Sequence, residues 1–130
     1  MKQGHRSMPV LAVTDVDKTA EFFVSGLGFT LAGKWTEDDG VHTFAIVRLD
    51  DITVGMQVVE TVPPVGPWSA YFYVEDIDAF AEQIQSNGVV LERDVMDRFY
   101  GSRDLDVKDP DGNLLCFGQD VSPSEAGPGL

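Results

Sequence analysis

The sequence predicts an α+β protein made of two βαβββ modules, with curved mixed sheets around a cavity and the helices outside. Three observations carry that expectation. First, one stretch occurs twice: Val13–Glu21 reads V-T-D-V-D-K-T-A-E and Val74–Glu82 reads V-E-D-I-D-A-F-A-E. Val13, Asp15, Asp17, Ala20 and Glu21 each stand 61 residues before an identical residue, and Val16 and Phe23 fall on the apolar Ile77 and Ile84. So dense a match in so short a window points to duplication, which has to be settled before the fold is read. Second, each copy passes from an apolar strand into an apolar stripe at helical spacing. Third, each helix is followed by three strand-like runs divided by turn residues.

The elements follow in order. Residues 1–7 read as a flexible lead, and residues 8–120 as one domain: module one over 8–60, a linker over 61–67, module two over 68–120. Met8–Val13 is a strand, with Pro9 at its start or at an edge because proline cannot donate to a ladder. Asp15 and Asp17, like Asp76 and Asp78, sit where the first N–H groups of a helix lack partners, so capping is preferred to any catalytic role. A helix runs from about Asp17 to Ser25 with the stripe Val16, Ala20, Phe23, Leu27, and Gly26 stops it. Strands follow at Phe29–Thr36, Val41–Leu49 and Ile52–Val59, with Asp50-Asp51 as a hairpin turn. The linker T-V-P-P-V-G-P excludes regular structure. Then come a strand at Ser69–Val74, a helix at Ile77–Asn87 stopped by Gly88, and strands at Val89–Asp94, Arg103–Lys108 and Leu114–Gly118. Residues 121–130 read as a flexible tail.

A helix covers one face of each sheet, so the strand period of two sorts the rest. Leu11, Val13, Val54, Met56, Phe72, Val74, Leu115 and Phe117 belong to the helix side. Met8, Val10, Ala12, Thr53, Gly55, Gln57, Ser69, Tyr71, Tyr73, Leu114, Cys116 and Gly118 look the other way, toward the expected cavity.

Composition narrows the function. Lys and Arg number 9 against 22 Asp and Glu, a net charge of -13. Such a chain repels phosphate backbones, so nucleic acid is not an expected partner. The charge suits either an acidic groove for a cationic ligand or simply a soluble acidic surface. No apolar run is long enough for a membrane, and Met1-Lys2-Gln3-Gly4-His5 leads into no signal-peptide core. A single cysteine, Cys116, excludes an internal disulfide, and a cytoplasmic location is expected.

The duplicated module, the segment D-V-D-K-T-A-E-F-F with G-L-G-F behind it, and the closing Y-G-S-R-D-L-D-V-K-D-P-D-G-N-L-L-C-F resemble the vicinal oxygen chelate superfamily over residues 8–118. That superfamily includes glyoxalase I, extradiol dioxygenases, fosfomycin-resistance transferases and bleomycin-resistance proteins. Its enzymes hold one divalent metal on four side chains, positions that correspond here to Met8, Gly55, Ser69 and Cys116. A glycine, a thioether, a hydroxyl and a lone thiol do not make a site for a hard cation, and Gln57 adds a single donor. No metal and no other cofactor is therefore expected.

The resemblance is strongest to the metal-free bleomycin-resistance group, whose opening strand also carries proline in a P-V-L context. It implies a homodimer that exchanges this strand at Pro9, with ligand crevices at the interface. It also implies sequestration of an aromatic or cationic small molecule, as in antibiotic resistance. The residues offered for that role are Trp35, Asp38, Asp39, Gly55, Gln57, Trp68, Ser69, Tyr71, Tyr73, Tyr100 and Cys116, with Phe99 nearby. Tyr71 and Tyr73 fit a filled cavity as well as a site, Trp68 could pin the linker, and Cys116 reads as a buried small residue rather than a reactive thiol. Arg103 reads as a structural partner of an acidic neighbour. The alternative is a metal-dependent lyase, isomerase or dioxygenase with an altered ligand set that includes Gln57.

Overall fold

Two four-stranded mixed sheets carry the chain, each with one helical segment on one face. The computed structural model describes residues 1–37, 39–64 and 66–121. The chain divides into two compact units, residues 1–64 and 65–130. Among the described residues, no helix is long and apolar enough to cross a membrane.

In the first unit β1 (Val10–Val13) leads through α1 (Val16–Glu21) to β2 (Thr30–Thr36), β3 (His42–Leu49) and β4 (Ile52–Val58). The sheet order is β1-β4-β3-β2, with β1 parallel to β4 and the other pairs antiparallel. Pairing begins at Pro9, whose carbonyl accepts from the Gly55 N–H at 2.9 Å, so its missing donor costs nothing. Leu11, Val13, Ala45, Val47, Val54 and Met56 are buried, as are Val16, Ala20, Phe23 and Leu27 of the helical segment. The Asp50-Asp51 turn puts Asp50 at φ 51°, a left-handed conformation that short acidic side chains tolerate.

The second unit repeats the plan. β5 (Ala70–Tyr73) leads through α2 (Ile77–Ser86) to β6 (Arg93–Asp97), β7 (Ser102–Lys108) and β8 (Leu114–Asp120), in the order β5-β8-β7-β6. The parallel pair repeats in register between the two units. Val10 lies opposite Gly55 and Tyr71 opposite Cys116; Val13 would map past Tyr73, but Leu11–Met56 and Ala12–Gln57 repeat as Phe72–Phe117 and Tyr73–Gly118. The core stacks Phe72 and Phe80 on Phe117, with centroids 5.1 and 4.7 Å away.

The caps divide the acidic residues differently from the sequence expectation. Asp15 and Asp76 are the N-caps, accepting from the N–H of Lys18 and of Ala79, each at 3.1 Å. Asp17 and Asp78 do not cap. Two residues further on, within the first turn, they point to the neighbouring sheet: Asp17 meets Lys34 Nζ at 2.6 Å and His42 Nδ1 at 2.7 Å, and Asp78 meets Arg103 at 3.0 Å. Arg103, which also reaches Asp97 at 3.3 Å, is thus the structural arginine its acidic neighbours suggested.

The helix ends correct two further expectations. After Ser86, Gly88 adopts φ 94°, its N–H bonds to the Gln85 carbonyl at 3.0 Å, and the Val89 N–H bonds to the Ile84 carbonyl at 3.0 Å. That double closure commits Val89 to the helix end. The strand expected at Val89–Asp94 therefore starts only at Arg93. In the first unit, Gly26 does not end the helix. A π-helical turn, Phe22–Gly26, adds one residue, and Gly28 (φ 81°) takes the left-handed position while the Phe29 N–H closes on the Phe23 carbonyl at 2.9 Å. The remaining strands differ from expectation by a residue or two at their ends.

Removing a cap should be visible. Asp76→Ala is expected to cost about 1 kcal/mol of stability in urea unfolding, and Asp78→Ala, an exposed partner, to cost less.

Candidate ligand-binding site

The face of each sheet away from its helix carries the residues singled out from the sequence. The two faces have the same register and different chemistry.

On the first, Ile46 stands opposite Gly55, Phe44 opposite Gln57 and opposite Trp35, and Gly33 opposite Ile46. The surface is apolar. A side chain at Gly55 would meet the Phe44 ring at 3.1 Å, Val10 at 3.3 Å and the Met8 methyl at 3.4 Å, so glycine there lets these groups close over the strand. Trp35 packs edge-on to Phe44 at 5.9 Å, lies over Gly33, and remains 51% exposed. Gln57 is exposed beyond it. Asp39 bonds the Val41 N–H at 2.9 Å and serves the β2–β3 turn. Asp38 lies outside the described residues.

On the second face, positions equivalent to Phe44, Ile46 and Gly33 hold Asp104, Asp106 and Arg93. Asp104 is opposite Gly118, Asp106 opposite Cys116, and Arg93 opposite Asp106. Asp104 is fully buried. Its Oδ1 accepts from Arg93 and, at 3.1 Å, from Arg98; its Oδ2 accepts from the hydroxyls of Tyr71, at 3.0 Å, and Tyr100. Arg93 continues to Asp106 through Nε at 3.1 Å, and Trp68 donates its indole N–H to Asp106 at 2.8 Å. Two carboxylates meet two guanidinium groups, so this patch is neutral within an acidic chain.

The aromatic rings form a row. Trp68 and Tyr71 have centroids 5.1 Å apart, as have Tyr71 and Tyr73. Tyr71 lies directly on Gly118: a β-carbon there would collide with its hydroxyl and meet its ring at 2.8 Å. At the Tyr73 end a recess of about 500 Å³ is lined by Tyr73, Val74, Glu75, Gln119 and Asp120. Ser69 is exposed, with its N–H on the Leu114 carbonyl at 2.7 Å. Thus Trp68, Tyr71, Tyr73, Tyr100 and Cys116 gather on one face, while Trp35, Asp39, Gly55 and Gln57 belong to the other unit.

The titration behaviour follows the network. Burial opposes charge on Asp104, yet the Tyr100 and Tyr71 hydroxyls and Arg93 outweigh it and hold the carboxyl below its usual range. Burial, with Asp104 behind it, pushes both Tyr71 and Tyr100 upward. Cys116 is raised by burial and by Asp104 and Asp106, so its thiol stays protonated and unreactive. Arg93, Arg98, Asp104, Asp106 and Phe44 were missed in the sequence reading. The signal was present for three of them: D-L-D-V in β7 and F-A-I-V in β3 alternate with period two, and the rule applied to the other strands puts Asp104, Asp106 and Phe44 on this side.

The sequence profile of the Glyoxalase/Bleomycin resistance protein/Dioxygenase superfamily matches residues 5–117. The chain belongs to this superfamily. It is 28% identical to the bleomycin resistance protein of Geobacillus stearothermophilus, over 89% of this chain and 97% of that one. The bleomycin-binding protein of bleomycin-producing Streptomyces verticillus, solved with copper(II)-bleomycin, is 26% identical, with a TM-score of 0.71 over 90% of this chain and 97% of that one. A glyoxalase-related enzyme from Clostridium phytofermentans shares the fold at 20% identity, with a TM-score of 0.79 over 92% of this chain and 98% of that one.

The residues that correspond to the superfamily's metal positions do not fit a divalent ion here. Gly55 offers no donor and is covered by Phe44, Met8 is an exposed thioether, Ser69 is a neutral hydroxyl, and Cys116 is a lone buried thiol. Among the described residues, no three His, Cys, Asp or Glu converge to hold a metal.

Two variants test the network. Gly118→Ala should force Tyr71 off Asp104 and cost about 2 kcal/mol in urea unfolding. Asp104→Asn should cost about 3 kcal/mol at pH 7, because it strands Arg98 and leaves Arg93 with one carboxylate. The Asp104 carboxyl is depressed in the folded state. Its contribution is therefore present above the unfolded value near 3.8 and lost as pH falls through the lower folded value. The stability gap between the native chain and Asp104→Asn should close over that acidic window.

Proposed function

We propose that this superfamily member is a metal-free and cofactor-free binding protein that sequesters an aromatic or cationic small molecule without transforming it. The observation that carries this reading is the row Trp68–Tyr71–Tyr73, which runs from the neutral ion-pair network to the recess beside Glu75 and Asp120. Flat π-faces ending at carboxylates suit an aromatic ligand with a positive group. Among the described residues, no lysine or arginine pairs with Glu75, and Asp120 accepts from the Ser102 hydroxyl at 3.4 Å.

The chemistry of the face supports binding over catalysis. Asp104 is saturated by four donors, the tyrosines and the thiol are pushed away from ionisation, and the donors at the superfamily's metal positions are unfit for a hard cation. The bleomycin-resistance and bleomycin-binding relatives support the same class of ligand. The apolar face of the first unit, with Trp35 half-exposed on it, is offered as a stacking surface of its own. On this reading the chain works in the cytoplasm as a homodimer, with the stretch at Pro9 exchanged between subunits.

Tryptophan fluorescence titration with metal-free bleomycin, copper(II)-bleomycin and a panel of cationic aromatic drugs tests the reading. A saturable change with the ligand recovered intact is expected. Silence across the panel, or conversion of the ligand on addition of manganese, iron, nickel or zinc salts, would overturn it.

A further inference from the structure

We propose that Arg98 is a resident cation occupying a planar-cation site on the second sheet, and that an amidinium or guanidinium ligand binds there by exchange with it. This rests on the binding reading above and adds the charged group the site selects and the residue that competes for it.

The Arg98 guanidinium carbon lies 5.9 Å from the Trp68 ring centre and 5.3 Å from that of Tyr100. Its Nη1 donates to Asp104 Oδ1 at 3.1 Å. Two aromatic faces over a carboxylate are the surroundings that recognise a flat cation, and the chain's own side chain fills them.

Arg98 is the dispensable one of the two guanidinium groups. Arg93 stands within β6 and bonds Asp104, Asp106 and the carbonyls of Asp94 and Asp104. Arg98 lies outside the strands, in the turn between β6 and β7, and Asp104 is its single carboxylate partner. The turn keeps its backbone bonds whatever the side chain does: the Arg98 N–H on the Ser102 carbonyl at 2.7 Å, and the Gly101 N–H on the Arg98 carbonyl at 3.2 Å.

Exchange also sets the selectivity. When Arg98 swings out, Asp104 keeps Arg93, Tyr71 and Tyr100 and lacks one charged donor. A planar monocation restores both the hydrogen bond and the charge balance. A neutral amide isostere can donate the hydrogen bond but not the charge, and leaves a buried carboxylate short of its counter-charge.

Benzamidine and its neutral counterpart benzamide are the probes, titrated calorimetrically into the native chain, Arg98→Ala and Arg98→Lys. Near-ultraviolet circular dichroism checks that each variant is folded. Arg98→Ala should bind benzamidine about tenfold more tightly than the native chain, with no comparable gain for benzamide. Arg98→Lys, which keeps the charge without the planar stack, should fall between them. In the native chain, saturating benzamidine should move the Arg98 Nε–H resonance and leave that of Arg93 in place. Equal or weaker benzamidine binding by Arg98→Ala, an equal gain for benzamide, or an unmoved Arg98 resonance at saturation overturns the exchange. If the native chain binds the drug panel yet Arg98→Ala shows no gain, the exchange fails and the sequestration reading stands. If Arg98→Ala gains for benzamidine while the panel stays silent, the reverse holds.

Discussion

A carboxylate with no exposure to water has to be satisfied on every side, and Asp104 imposes that requirement on the second unit. Its donors come from β5 through Tyr71, from β6 through Arg93, and from the turn between β6 and β7 through Arg98 and Tyr100. One charge thereby ties both edge strands and a turn to β7. The tyrosine must approach across β8, and it can do so because position 118 has no side chain to meet it. The aromatic row is thus held by polar chemistry and not only by packing, which gives a ligand a rigid surface at little ordering cost.

The two copies kept the framework and exchanged the inventory. Where the first unit has Phe44, Ile46 and Gly33, the second has Asp104, Asp106 and Arg93, at positions fixed by the same cross-strand partners. One module became an apolar platform and the other an ion-paired one. Neither change disturbs the helix side, where Ala45, Val47, Val54 and Met56 in one unit and Leu105, Val107, Leu115 and Phe117 in the other are buried in the same alternation. The negative surplus of the chain then resides largely outside the patch.

The fold was legible because its signals are local. The repeat, the capping Asp15 and Asp76, the stripe through Val16 and Ile77 and the alternation in β4 and β8 are all read within a few residues. Two errors came from competition between local signals. Val89 has a strand former's side chain, but closure of α2 claims its backbone. Asp17 and Asp78 have a capping residue's chemistry, but the cap was already filled two residues earlier. The site was less legible because its parts are long side chains that meet across strands. Nothing in the sequence around Arg98 says that its guanidinium lies on Trp68, thirty residues away. Even so, Asp104 and Asp106 could have been placed by parity, which makes that omission avoidable.

The π-helical turn in the first unit has a counterpart in the second. The extra residue at Phe22–Gly26 lowers the spacing between equivalent positions from 61, as in Val16 and Ile77, to 60, as in Gly28 and Gly88. The chain between the paired Lys108 and Leu114 carries one residue more than that between the equivalent pair Arg48 and Thr53, and the spacing of 61 returns at Gly55 and Cys116. Each half therefore absorbed a length change at a different joint while the parallel strand pair stayed aligned. A helix end and a hairpin tip are where such a scaffold can be lengthened or trimmed without re-aiming the side chains on its floor.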